Sequence, residues 1–119
     1  GSKSRKQKYA RKIAEKRLTI IYSNTGIKNV NDFYVELKQI LQTFLADRLQ
    51  VEANKLSKEE LRMSLAEKNI SISTIDSYIK IIEECDYANF APSTSLIDKK
   101  VLCEQATDII RKIDDYNKS

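Results

Sequence analysis

The sequence has no histidine and no tryptophan, and only two glycines, one proline and two cysteines in 119 residues. Without histidine, imidazole acid–base catalysis near neutral pH and imidazole metal ligation are excluded. One glycine belongs to the leading Gly1–Ser2 pair, which reads as a cloning scar. Gly26 alone cannot build a glycine-rich phosphate cradle. Cys85 and Cys103 cannot make a zinc site alone, nor a disulfide framework. They fall at or beside apolar helical positions, so free buried thiols in a reducing compartment are expected. So few turn residues argue against a turn-rich β fold. No apolar run approaches the ~20 residues of a membrane span, and no signal peptide is recognisable. These absences predict a protein that is not an enzyme and carries no cofactor and no metal.

What is present is charge, unevenly placed. Residues 1–22 hold eight basic side chains, Lys3, Arg5, Lys6, Lys8, Arg11, Lys12, Lys16 and Arg17, against the single acid Glu15, a net of +7. The other 97 residues hold 13 basic and 16 acidic groups, a net of −3. A basic arm on an acidic body has three readings. It is a solvated helix face, a surface for anionic lipid, or a surface for nucleic-acid phosphates.

The apolar spacing predicts an all-α fold, a compact bundle of about five helices with a basic, partly projecting N-terminal helix. The first helix is expected over residues 3–22, with Tyr9, Ala10, Ile13, Ala14, Leu18 and Ile21 on one stripe. Ser23 to Gly26 reads as its stop. Residues 23–119 form the core domain, with helices near 31–49, 57–68, 72–86 and 95–116. In the second, Phe33, Leu37, Ile40, Leu41, Phe44, Leu45 and Leu49 make the strongest stripe, and Asp47 and Arg48 fall on the charged outer face. Ser57 and Glu60 form a capping box, with Leu56 and Leu61 as its hydrophobic staple. Ile75, Tyr78, Ile79, Ile82 and Cys85 share a face of the fourth helix, and Leu102, Ala106, Ile109, Ile113 and Tyr116 a face of the fifth. Phe44 and Ile79 are expected in the core on facing helices.

The third and fourth helices have the look of a helix-turn-helix. Residues 57–92 carry four basic and seven acidic groups, which duplex phosphates would repel, so a packed αα-hairpin is expected instead. The pairs Glu59–Glu60, Glu83–Glu84 and Asp114–Asp115 are sequence neighbours that do not face each other on a helix, and read as solvated faces. The stretch Cys85-Asp86-Tyr87-Ala88-Asn89-Phe90-Ala91-Pro92 puts two aromatics into a short connection. Tyr87 and Phe90 there are either core or a contact patch.

That stretch resembles the Cys-Glu-x-Ala-Arg-Tyr-Ala-Pro signature near the C-terminus of the BatD family, the bacterial aerotolerance protein D. Phe33-Tyr34 with Glu36-Leu37 is similar to the family's Phe-Tyr-x-Glu-Leu helix start. Phe44-Leu45, Asp47 and Leu49 are similar to its Tyr-Leu-x-Asp-Lys-Leu helix end. Leu56, Leu61, Leu65, Ala106 and Ile110 follow in order. Asp86, Asn89 and Phe90 depart from the signature, and Asn69 stands where a turn glycine is common.

The resemblance implies the cytoplasmic helical part of a membrane-anchored protein at the bacterial inner membrane. It also implies the setting of a MoxR-type AAA+ ATPase and von Willebrand factor A-domain membrane proteins, with links to oxygen tolerance and envelope stress. Residues Lys3 to Arg17 would then be juxtamembrane and face anionic lipid. Cys85, Asp86, Tyr87, Phe90, Ala91 and Pro92 would form a structural or partner-binding motif. The expectation is a non-enzymatic interaction domain that does not bind nucleic acid; the alternative is a stand-alone nucleic-acid-binding module using the basic helix.

Overall fold

In a computed structural model the chain is described over residues 5–23, 30–88 and 98–116. Those residues form five α-helices: α1 (Arg5–Ser23), α2 (Val30–Leu49), α3 (Lys58–Glu67), α4 (Ile72–Tyr87) and α5 (Lys99–Tyr116). A 3-10 turn, Ala53–Lys55, links α2 to α3, and there is no strand among the described residues. The all-α bundle read from the apolar spacing is the fold.

The helices are central in the order of their apolar stripes. All seven stripe residues of α2, from Phe33 to Leu49, are buried. α2 packs on α1, α4, α5 and the 3-10 turn, and so forms the centre of the bundle. Phe44 and Ile79 are both buried, on the packed pair α2 and α4. The fourth helix buries a wider face than its main stripe, because it packs on α2, α3 and α5. Ile81 and Thr74 are buried there as well, while Ile82 is half-buried. Cys85 and Cys103 are free and buried.

Local hydrogen bonds fix the helix ends. The Ser57 hydroxyl accepts from the Glu60 N–H, and the Glu60 carboxylate accepts from the Ser57 N–H at 2.9 Å, completing the capping box. Asn69 takes a left-handed φ of 66°. Its N–H donates to the Ala66 carbonyl and that of Ile70 to the Leu65 carbonyl, which closes α3 in a Schellman motif. Asparagine tolerates this position but glycine fits it without a Cβ clash, which is why a glycine belongs there in similar turns. Ser71 caps α4 through the Thr74 N–H. Asp98 caps α5 through the Val101 N–H, so α5 begins at Lys99. Residues 95–97, expected inside that helix, lie outside the described residues, as does the expected stop at 24–26.

Three placements differ from the expectation, and each has the same cause: a distant partner. Arg48 does not sit on an outer face but is 6% exposed. Its Nε donates to Asp114 Oδ1 at 2.9 Å. Asp114 is accordingly not a solvated acid; it also receives Arg11 Nη1 at 3.4 Å. On α1, the buried strip is Ala10, Ala14, Leu18 and Ile21. Tyr9 and Ile13, expected beside it, are each 43% exposed. The Gln7 side chain donates to the Arg48 carbonyl at 3.4 Å, so α1 is docked from its second described residue pair onward, with Arg5 and Lys6 in solvent.

Removing the acid from this buried cluster leaves Arg48 without its closest carboxylate. Asp114→Ala is expected to cost about 3–5 kcal/mol, the range for breaking a buried ion pair. Replacing both partners, Arg48→Met with Asp114→Leu, should recover most of it. Urea midpoints of the three variants check this; an unchanged midpoint for Asp114→Ala would show that the pair is solvated.

Candidate interface on the outer face of the first helix

The strip that α1 turns inward pairs two small residues with two large ones. Ala10 and Ala14 let its backbone come close to α2, and Leu18 and Ile21 continue the contact. α5 flanks it on the other side. Ion pairs then set the rotation. Arg11 Nε donates to Glu15 at 3.1 Å, and Arg111 of α5 reaches the same Glu15 oxygen at 3.2 Å. The Glu15 and Asp114 carboxylates raise the pKa of the Arg11 guanidinium, partly offset by its desolvation. Arg17 lies 3.9 Å from Glu36 of α2.

The eight basic residues of the arm thus divide. Arg11 and Arg17 are engaged with carboxylates of the bundle. Arg5, Lys6, Lys8, Lys12 and Lys16 are exposed and have no carboxylate partner among the described residues. Lys3 lies outside the described residues. The Lys8 ammonium sits 5.6 Å from the centre of the Tyr9 ring. Beside these cations run Tyr9, Ile13 and Ile20, the last 49% exposed. This outward row was missed in the sequence because Tyr9 and Ile13 read as members of the buried stripe and Ile20 was left out of it; the spacing of the two alanines hinted at a narrower buried strip.

The α3–α4 hairpin is acidic. Among its packed neighbours α3 has α4, and α1 has α2 and α5. The hairpin is clamped by ion pairs between Arg62 and Asp76 and between Lys58 and Glu83. Met63 and Ile72 stand exposed on it. Tyr87, at the end of α4, is 71% exposed, so it is not core. Asp86 pairs with Lys38 of α2, and Cys85 is buried. The rest of the aromatic stretch, Phe90, Ala91 and Pro92, lies outside the described residues. Of that motif, then, Cys85 packs, Asp86 ties α4 to α2, and Tyr87 is free for contact.

Two buried groups near the hairpin have unusual surroundings. Tyr78 lines a cavity of about 320 Å³ between α2, the 3-10 turn, α3 and α4. It is 1% exposed, and its hydroxyl has no hydrogen-bond partner among the described residues. Burial raises the pKa of this phenol well above the ordinary tyrosine range. Burial also pushes the Cys85 thiol up to about 12, aided by the Asp86 and Glu84 charges. A groove of about 590 Å³ between α1 and α5 has Cys103 among its lining residues. Its opposite charges, Glu15 and Arg111, already pair with each other.

No helix among the described residues is long and apolar enough to cross a membrane. No family model matches the chain, and no curated protein or solved structure matches it.

Tyr78→Phe removes a buried hydroxyl that has no partner, so stability is expected to rise by up to about 1–3 kcal/mol. A fall in the denaturation midpoint would mean that the hydroxyl is satisfied in solution. Cys85 generates a pH dependence. Its folded value lies above the ordinary 9.0, so the unfolded chain releases the proton first as pH rises. Stability is therefore full below about pH 9 and declines as pH climbs towards about 12. Cys85→Ala should flatten that alkaline decline, read as urea midpoints across the range; an equal slope in both proteins would assign the decline elsewhere.

Proposed function

We propose that this chain is a non-enzymatic docking module, the cytoplasmic helical domain of a BatD-like membrane-anchored protein of aerotolerance or envelope stress. In this reading α1 rests against the anionic cytoplasmic face of the bacterial inner membrane. The body is presented to partner proteins, with von Willebrand factor A-domain membrane proteins and a MoxR-type AAA+ ATPase as the candidates that the resemblance implies. The observation that carries the reading is the outward face of α1, where Arg5, Lys6, Lys8, Lys12 and Lys16 stand without a carboxylate partner among the described residues. Cations in such numbers near one surface are attracted to anionic headgroups, at about 1 kcal/mol each. The acidic α3–α4 hairpin would be repelled by the same surface. Its exposed Met63, Ile72 and Tyr87 are then available to a protein partner. The order of family-like motifs from Phe33 to Ile110 supports the assignment to BatD-type proteins.

Co-sedimentation with phospholipid vesicles tests it. The protein should bind phosphatidylglycerol-containing vesicles, and release as salt shortens the screening length. Lys6→Ala, Lys8→Ala and Lys12→Ala should each weaken binding about fivefold, leaving the fold intact because none touches the core. Equal binding to phosphatidylcholine alone would sink the reading, and preference for duplex DNA over anionic vesicles would favour a nucleic-acid module.

A further inference from the structure

The outward face of α1 combines its cations with apolar surface in a particular arrangement. At 3.6 residues per turn, Tyr9, Ile13 and Ile20 fall within about 40° of one another and span about 17 Å along the helix axis. Arg5, Lys12 and Lys16 run along one side of this row. Lys6 lies on the other, next to Arg17, which is held by Glu36 of α2. The row is separated by roughly a third of the circumference from the Ala10, Ala14, Leu18 and Ile21 strip that faces the bundle. α1 therefore has two apolar strips, and the fold covers only one.

We infer that the second strip enters the headgroup–acyl boundary of an anionic phospholipid bilayer, so that Tyr9, Ile13 and Ile20 insert while α1 lies parallel to the surface. The inference rests on the membrane-docking reading above and adds the mode of contact. A helix that lies in the interface needs an apolar row with long cationic side chains on both flanks. Their stems follow the row down while their charged ends stay with the phosphates. Tyrosine, with an apolar ring and a polar tip, suits the same depth. The charge of the flanks selects the occupant. Nucleic acid would take the cations, but it stacks on aromatic rings and makes no use of Ile13 and Ile20. A row carried on a convex helix suits a planar soft surface. The bundle also prepares the helix. Gln7, Arg11 and Arg17 hold its rotation through α2 and α5, so little ordering remains to oppose binding.

The intact protein tests this directly. The chain has no tryptophan, so Ile13→Trp places a single reporter in the row, and Met63→Trp places one on the exposed hairpin. With phosphatidylcholine/phosphatidylglycerol vesicles, emission from Ile13→Trp should shift to the blue and be quenched by brominated lipid. Emission from Met63→Trp should stay as in water. A triple variant, Tyr9→Ser with Ile13→Ser and Ile20→Ser, should bind these vesicles at least about tenfold more weakly. It should also lose whatever binding survives high salt, while its cooperative melting confirms that it is folded. Salt-reversible binding to anionic vesicles with no blue shift would overturn insertion and leave electrostatic docking standing. No preference for anionic over neutral vesicles would overturn both. A protein dimer that the triple variant abolishes, without vesicle binding by the parent, would assign the row to a second copy and overturn the inference.

Discussion

The arginine–aspartate pair inside the bundle is the constraint on which the rest of the arrangement depends. Arg48 comes from the last turn of α2 and Asp114 from the last turns of α5, and Arg11 of α1 closes on the same carboxylate. The first two helices and the last are thereby joined at one point. An ion pair this buried does little for net stability by comparison with well-packed apolar groups, because both charges lose their water. Its effect is on alternatives. A rotation of α1 or α5 that separated these groups would leave a charge inside the bundle with no counter-charge.

That restriction matters most for α1. Its inward strip is half alanine, with Leu18 and Ile21 completing it, whereas its outward row contains two isoleucines and a tyrosine. On hydrophobicity alone, a rotated α1 that buried Ile13 and Ile20 would be a serious competitor. Close backbone approach through Ala10 and Ala14, with the Gln7, Arg11 and Arg17 contacts, decides against it. Tyr9, Ile13 and Ile20 are left outside, and Arg5, Lys6, Lys12 and Lys16 beside them have no carboxylate partner among the described residues.

Features that depend on near neighbours in the chain were legible in the sequence. The capping box at Ser57 and Glu60 needs only residues three apart, and the α2 stripe repeats often enough to mark a central helix. What could not be read depends on contacts across the fold. Arg48 and Asp114 are 66 positions apart, and each alone looks like a surface charge. Ile81 is buried because α5 happens to pack on a second side of α4. Tyr9 and Ile13 were placed in the core because apolarity says that a side chain avoids water, without saying what covers it. The basic arm was visible as a charge total, but the division between its engaged arginines and its outward lysines was not.

The two alanines of α1 also act as a pivot. A helix of this length extends about 28 Å, so lifting one end by about 1 Å tilts its axis by about 2°. An added methyl group at Ala10 would raise the amino-terminal half, and one at Ala14 the middle. Neither change would touch a charge or an outward residue. Each would alter the angle at which the α3–α4 hairpin stands relative to whatever surface α1 lies upon. The tilt of α1 on its neighbours is thus set from inside the bundle, by the thinness of one contact rather than by the chemistry of the outward face.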